Sequence, residues 1–215
     1  ILLGPKLGLI DEPGERRIHV KPVPRAGGIA VFLTFVITVL AVHSFSELSG
    51  QLSFEWFKAF ATASLLLVIV GILDDRWGVN AWLKLLAHGL SAVFLFYTSG
   101  GNVGSVLGIA VPEYVDLAIW VIWTVAIINA FNLIDGMDGL CAGLAMISIL
   151  SLTILTIALR SGTDAIVLIV MLGTLLGFLR YNFNPAKIFL GDTGSMFIGF
   201  FIASAALAST GERLT

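Results

Sequence analysis

The sequence predicts an all-α, polytopic membrane protein, and three observations lead there. Of 215 residues, 58% are hydrophobic and only 12% charged, whereas an ordinary soluble domain carries roughly a quarter charged residues. Mean hydropathy is +1.00. Stretches almost free of Asp, Glu, Lys and Arg recur at close to the ~20 residues a helix needs to cross the hydrocarbon core. Continuous runs such as TASLLLVIVGIL lack the alternation of a membrane β-strand, leaving helices as the structure that satisfies its own backbone in lipid.

Seven spans follow in order. The first, 27–45, opens on Gly27 and Gly28 behind a proline-rich loop. The second, 57–73, stops at the paired acids Asp74 and Asp75, and the third, 83–99, lies between the turn WGVN and a Gly-Gly pair. The fourth, 116–133, ends before Asp135; the fifth, 138–158, starts at Asp138-Gly139. The sixth, 163–180, ends at Arg180, and the seventh, 194–210, begins just after Asp192. There is no sustained internal repeat, low-complexity tract or linker, so residues 1–215 read as one domain. The chain opens on ILLGPKLGLI without a methionine and stops soon after an apolar run. It reads as part of a larger bundle, lacking an N-terminal helix and C-terminal spans.

Counting connections alternately puts 1–26, 74–82, 134–137 and 181–193 on one side, and 46–56, 100–115, 159–162 and 211–215 on the other. Lys6, Arg16, Arg17, Lys21, Arg25, Arg76, Lys84, Arg180 and Lys187 fall to the first side, against Lys58, Arg160 and Arg213. Nine against three makes the first side cytoplasmic by the positive-inside rule.

Composition also excludes functions. A net charge of −2 leaves no basic excess for nucleic acid. The single cysteine, Cys141, excludes an intramolecular disulfide framework and a thiolate metal site. It reads as a small apolar helix residue.

Eight of the fourteen acids lie on the predicted cytoplasmic side: Asp11, Glu12, Glu15, Asp74, Asp75, Asp135, Asp138 and Asp192. Adjacent Asp74 and Asp75 repel one another unless a cation or proton is shared. A hard ion such as Mg²⁺, held by one or two carboxylates with substrate phosphates, fits that need; the plainer alternative is a solvated turn with Arg76 as counter-charge. In NAFNLIDGMDGL, Asn132, Asp135 and Asp138 are spaced three apart, which on a helix gives an oxygen-rich stripe. An EF-hand is excluded, because Met146 stands where the loop's final Glu belongs. YNFNPAKIFLGDTGS brings Asn182, Lys187 and Asp192 before a small-residue helix start, a ready anion site beside a cation-binding acid, suited to a diphosphate. In the first loop, Arg16 and Arg17 read as topology anchors. Lys21 and Arg25, among prolines and beside Gly27 and Gly28, read as phosphate-contacting cations. His19 is a loop histidine, while His43 and His88 lack acidic company and read as buried polar residues.

Four strings in order, HVKPVPRAGG, DDRWGVNAWLK, NAFNLIDGMDGL and NPAKIFLGDTGS, resemble those of the polyprenyl-phosphate N-acetylhexosamine-1-phosphate transferases, the membrane glycosyltransferase-4 family. The resemblance covers essentially the whole chain. It implies that the phosphate of undecaprenyl phosphate attacks the β-phosphorus of a UDP-N-acetylhexosamine, giving lipid-diphosphate-sugar and UMP for cell-envelope polysaccharide synthesis, with Mg²⁺ as cofactor. By motif, Asp192 matches the principal Mg²⁺ ligand and Asn132 a further oxygen ligand. Asp74 and Asp75 match the paired acids tied to catalysis or to lipid-phosphate deprotonation, with either as the base. Asp135 and Asp138 match the nucleotide-sugar and active-site network. Asn182 matches a polar contact and Lys21 a loop lysine near the phosphates; Arg25 and Lys187 join it as substrate-binding cations, and Phe189 as a stacking partner for uracil. The implied setting is the bacterial inner membrane, with the site facing the cytoplasm and a homodimer as one assembly.

Muramoyl-pentapeptide transferases typically carry a GTPTMGG-like loop and NLTDGLDG, whereas this chain has KPVPRAGG and NLIDGMDG. That favours the GlcNAc-1-phosphate branch. Family members also continue into further spans and a histidine-bearing loop, so activity is expected of the intact protein. An ion-coupled transporter is the competing class, but its acids belong near the bilayer midplane, whereas these gather at span ends on one side.

Overall fold

A computed structural model describes residues 4, 6, 8–11, 22–47, 52, 54–99, 105–106, 109–158 and 162–211. Seven helices carry the chain: α1 (Gly27–Phe45), α2 (Phe54–Trp77), α3 (Ala81–Ser99), α4 (Glu113–Ile134), α5 (Leu140–Ala158), α6 (Gly162–Asn182) and α7 (Gly191–Gly211). Each is long and apolar enough to cross a bilayer, as an integral membrane protein requires. Two small antiparallel ribbons complete the described residues, β1 (Ile10–Asp11) with β2 (Val23–Pro24), and β3 (Ser105–Val106) with β4 (Ile109–Ala110).

All seven predicted spans coincide with helices; α5 starts two residues later than predicted, at Leu140, while others outrun the uncharged stretches. α2 continues through Asp74 and Asp75 to Trp77, and α7 starts at Gly191. The extra turns project charged residues from helix ends, where a polar surface is reached.

The helices α1 to α6 form a ring, each against its neighbours, and α7 lies inside it, packed on α1, α2, α4 and α5. Met196, Phe197, Ile198, Phe200, Phe201 and Ala203 on α7 have no exposed surface. The ring helices instead turn residues such as Leu33, Ile37, Ile122, Leu150 and Leu176 outward, as lipid-facing surfaces do. Lipid is as apolar as these side chains, so association rests on close packing rather than on hydrophobic transfer. Small residues make it possible. A Cβ on Gly28 would collide with the backbone of Gly194, one on Gly71 with Thr193, and one on Gly199 would lie 2.7 Å from Ile128 Cα. Around these crossings Phe35, Phe60, Phe197 and Phe201 pack together, with ring centroids 5.3–6.1 Å apart.

This packing gives a first expectation. Gly28→Val forces backbone against backbone, so its cost should exceed the ~1–3 kcal/mol of ordinary overpacking. A clearly lowered melting temperature in detergent is expected; an unchanged one would contradict the α1–α7 contact.

Candidate active site

The ends of α2, α4 and α6 and the starts of α1, α3, α5 and α7 meet at one end of the bundle, joined by hydrogen bonds among them. Every described acid of the four motifs is there.

Asp75, buried on the last turns of α2, faces the start of α7. Its Oδ1 accepts from the Asp192 N–H at 2.9 Å, and its Oδ2 accepts from the Thr193 N–H at 3.1 Å and the Thr193 hydroxyl at 2.7 Å. A carboxylate from another helix thus caps α7, satisfying donors that a helix start leaves open and facing the positive end of its dipole. Gly191 makes this approach possible: its φ is +74°, and a Cβ there would lie 2.7 Å from the Asp75 carboxylate. The α7 start is therefore already filled by the protein's own carboxylate, a correction to its reading as an open anion site.

Asp74 points elsewhere. Its Oδ1 accepts from the Val79 N–H at 2.6 Å, closing the turn into α3, and its Oδ2 accepts from Lys84 Nζ at 3.1 Å. Lys84 Nζ also donates to Asp192 Oδ2 at 3.0 Å. One ammonium therefore sits between carboxylates from α2 and α7. Arg76 is not the counter-charge; it lies over the Trp77 ring, 4.5 Å from its centroid.

Asn132, near the end of α4, donates to the Ser195 hydroxyl at 3.0 Å, and its amide also bonds the Asp192 side chain. Asp135 accepts the Gly191 N–H. Asn132, Asp135 and Asp138 do not form one helical stripe. α4 ends at Ile134, and Gly139 at φ +71° helps turn the chain into α5, so Asp138 lies in a loop. There its Oδ2 accepts from Asn184 Nδ2 at 3.1 Å and from the Ala186 N–H at 2.9 Å. Buried Asn182 accepts from the Gly139 N–H at 3.1 Å and donates to the Ile188 carbonyl at 2.9 Å. Together they stitch the α4–α5 and α6–α7 loops.

Burial raises Asp135 most, the negative charges of Asp192 and Asp75 add to it, and its carboxyl is pushed up to about 7. A carboxyl whose folded value exceeds its unfolded one contributes stability below the unfolded value and loses it as pH rises through the folded one. In chelator-treated protein, Asp135→Asn should therefore gain in melting temperature over the parent between pH 5 and pH 8. A gap independent of pH would contradict it.

Arg25 forms an ion pair with buried Asp11 at 2.7 Å, tying the β1–β2 ribbon down. Phe189 is half-buried; its N–H donates to the Pro24 carbonyl and its carbonyl accepts from Gly27. Lys187 is exposed, and Lys21 lies outside the described residues, as do Arg16, Arg17 and His19. His88 is buried, with Nε2 3.0 Å from Met196 Sδ, and Cys141 is buried, both as read from the sequence.

Sequence reasoning counted Lys84 only as a topology charge. Its signal was present: an ionisable residue inside the apolar string AWLKLLAHG is a functional candidate by default.

Residues 57–210, more than half of the chain, match the family model described as glycosyl transferase family 4. The chain belongs to this family. Within the glycosyl transferase family 4 frame it is similar to the probable undecaprenyl-phosphate N-acetylglucosaminyl 1-phosphate transferase of Bacillus subtilis, at 34% identity over 98% of this chain and 58% of that protein. It is 35% identical to the decaprenyl-phosphate N-acetylglucosaminephosphotransferase of Mycobacterium tuberculosis, over 98% of this chain and 56% of that protein. A phospho-N-acetylmuramoyl-pentapeptide-transferase of Fervidobacterium nodosum matches at 32%, over 96% and 66% respectively. The chain thus spans a little over half the length of the first two relatives.

Proposed function

We propose that the intact protein transfers N-acetylglucosamine-1-phosphate from UDP-GlcNAc to a polyprenyl phosphate. The observation that carries this reading is the convergence of Asp74, Lys84, Asn132, Asp135 and Asp192 at one end of a membrane bundle, in a chain most similar among these relatives to GlcNAc-phosphate transferases. A site at helix ends, beside the bilayer surface, suits a lipid phosphate meeting a water-soluble nucleotide sugar. The Lys and Arg excess on that side supports a cytoplasmic orientation for it.

In the reaction a lipid-phosphate oxygen bonds to the β-phosphorus of UDP-GlcNAc, the bond from that phosphorus to the bridging oxygen breaks, and UMP leaves. Asp75 has both oxygens occupied in holding α7, so it acts by positioning Asp192. Asp74 faces Lys84 and Asp192 rather than the α7 start, its oxygens accepting from the Val79 N–H and from Lys84, and it is the acid of the pair assigned to take a proton from the lipid phosphate. Asp138 and Asn182 set the loop that carries Lys187 and Phe189 toward the nucleotide, Arg25 lies next to Pro24, whose carbonyl accepts from Phe189, and Lys21, by motif, is a further phosphate-binding cation.

Mg²⁺ fits the donors present. Asp74 and Asp192 already turn oxygens toward one positive group, and Asn132 adds an amide. Among the described residues no group of three or more acids, histidines or cysteines is placed to hold an ion, so waters and substrate phosphates would have to complete its ligand set. When bound, it would neutralise diphosphate charge and favour departure of UMP.

The pentapeptide-transferase reading stays as the second, because such relatives match at 32–33% identity. UMP release by the detergent-solubilised intact protein separates the two. Lipid-dependent release with UDP-GlcNAc and none with UDP-MurNAc-pentapeptide is expected; the reverse would move the protein to the other branch.

A further inference from the structure

The Lys84 ammonium lies 3.1 Å from Asp74 Oδ2 and 3.0 Å from Asp192 Oδ2. The two acids come from helices far apart in sequence, and the side chains of all three are less than a third exposed. The two carboxyls also meet directly in a side-chain hydrogen bond, and two partly buried carboxylates this close repel strongly unless a proton or another positive charge is shared between them. Those same oxygens are the anionic donors that a divalent ion would need. Lysine suits a counter-ion that must also leave, since its ammonium is a compact point charge on a flexible stem, without the rigid bidentate geometry that fixes an arginine.

We propose that Lys84 is an exchangeable counter-ion for the metal site: its ammonium neutralises Asp74 and Asp192 when the divalent ion is absent and is displaced when the ion binds. The inference rests on the assignment of Asp192 and Asp74 to the metal. It makes Lys84 a built-in competitor that weakens ion binding while keeping the empty site folded, and that is delivered by displacement to the neighbourhood of the substrate phosphates.

The test is Mn²⁺ binding by the detergent-solubilised intact protein, read as loss of the free-ion electron paramagnetic resonance signal and so independent of turnover. Lys84→Met removes the charge at nearly constant length and should bind Mn²⁺ about tenfold more tightly than the parent, while Asp192→Asn should bind it far more weakly. Equal or weaker binding by Lys84→Met, with binding still lost in Asp192→Asn, overturns the counter-ion role alone. Binding undiminished in Asp192→Asn, or absent from the parent, overturns the metal assignment and the role with it. A second readout needs no variant: mass-spectrometric labelling of Lys84 in the parent by an amine-reactive acylating reagent should increase when Mn²⁺ is added. Unchanged or reduced labelling contradicts displacement.

Discussion

Asp192→Asn is expected to abolish turnover while leaving the bundle intact. The substitution keeps the size of the side chain but removes the charge that faces Lys84 and, in the proposed mechanism, the metal. The backbone N–H of residue 192 remains available to Asp75, so the α7 start stays capped. Loss of electrostatic stabilisation of this kind is worth about 10³-fold or more, about 4 kcal/mol of barrier. UMP release at saturating Mg²⁺ measures it, with the melting temperature as a control on folding. Activity within tenfold of the parent would contradict the role of Asp192.

Asp75→Ala should act on the fold first and on activity through it. The variant leaves the N–H groups of Asp192 and Thr193 and the Thr193 hydroxyl without their acceptor at a helix start where Thr193 is wholly buried. A lost cap costs about 1 kcal/mol and an unsatisfied buried donor about 1–3 kcal/mol, so a total of roughly 2–4 kcal/mol is expected. Asp75→Asn keeps one accepting oxygen and should recover part of it. Thermal unfolding in detergent reads the order parent, Asn, Ala. The same series at position 74 should lose activity with a much smaller change in stability, because Asp74 is more exposed than Asp75 and its bonds to the Val79 N–H, Lys84 and Asp192 leave no buried helix-start donor without an acceptor when it is removed. Equal melting temperatures for Asp75→Ala and the parent would show that the cap contributes nothing.

The membrane spans were legible because hydropathy and length are local properties. Residues 27–45 are α1 to the residue, since an uncharged stretch of that length has one stable state in lipid. The central place of α7 was not legible: it rests on close approaches at Gly28, Gly71, Gly194 and Gly199, scattered over α1, α2 and α7, that let the backbones close around it. The acids were legible as a cluster on one side, but not in their division of labour. Asp75 and Thr193 stand 118 positions apart, and nothing local to DDRWG says that its second acid caps a remote helix while its first pairs with a lysine. Asn132, Asp135 and Asp138 would share a stripe on a continuous helix, but α4 ends at Ile134 and the chain turns before α5, with Gly139 at positive φ, so the three residues are not on one helix face. Lys84 was passed over because a lysine near a span end usually marks topology; its two carboxylate partners appear only in three dimensions.

The most direct test of the transferase reading follows the phosphorus. UDP-GlcNAc labelled with ³²P in the β-phosphate is given to the intact protein with undecaprenyl phosphate and Mg²⁺, and lipid and nucleotide are separated. Transfer of the sugar together with its phosphate predicts label in the lipid fraction and unlabelled UMP in the aqueous one. Label retained in UDP, with sugar alone on the lipid, would contradict it.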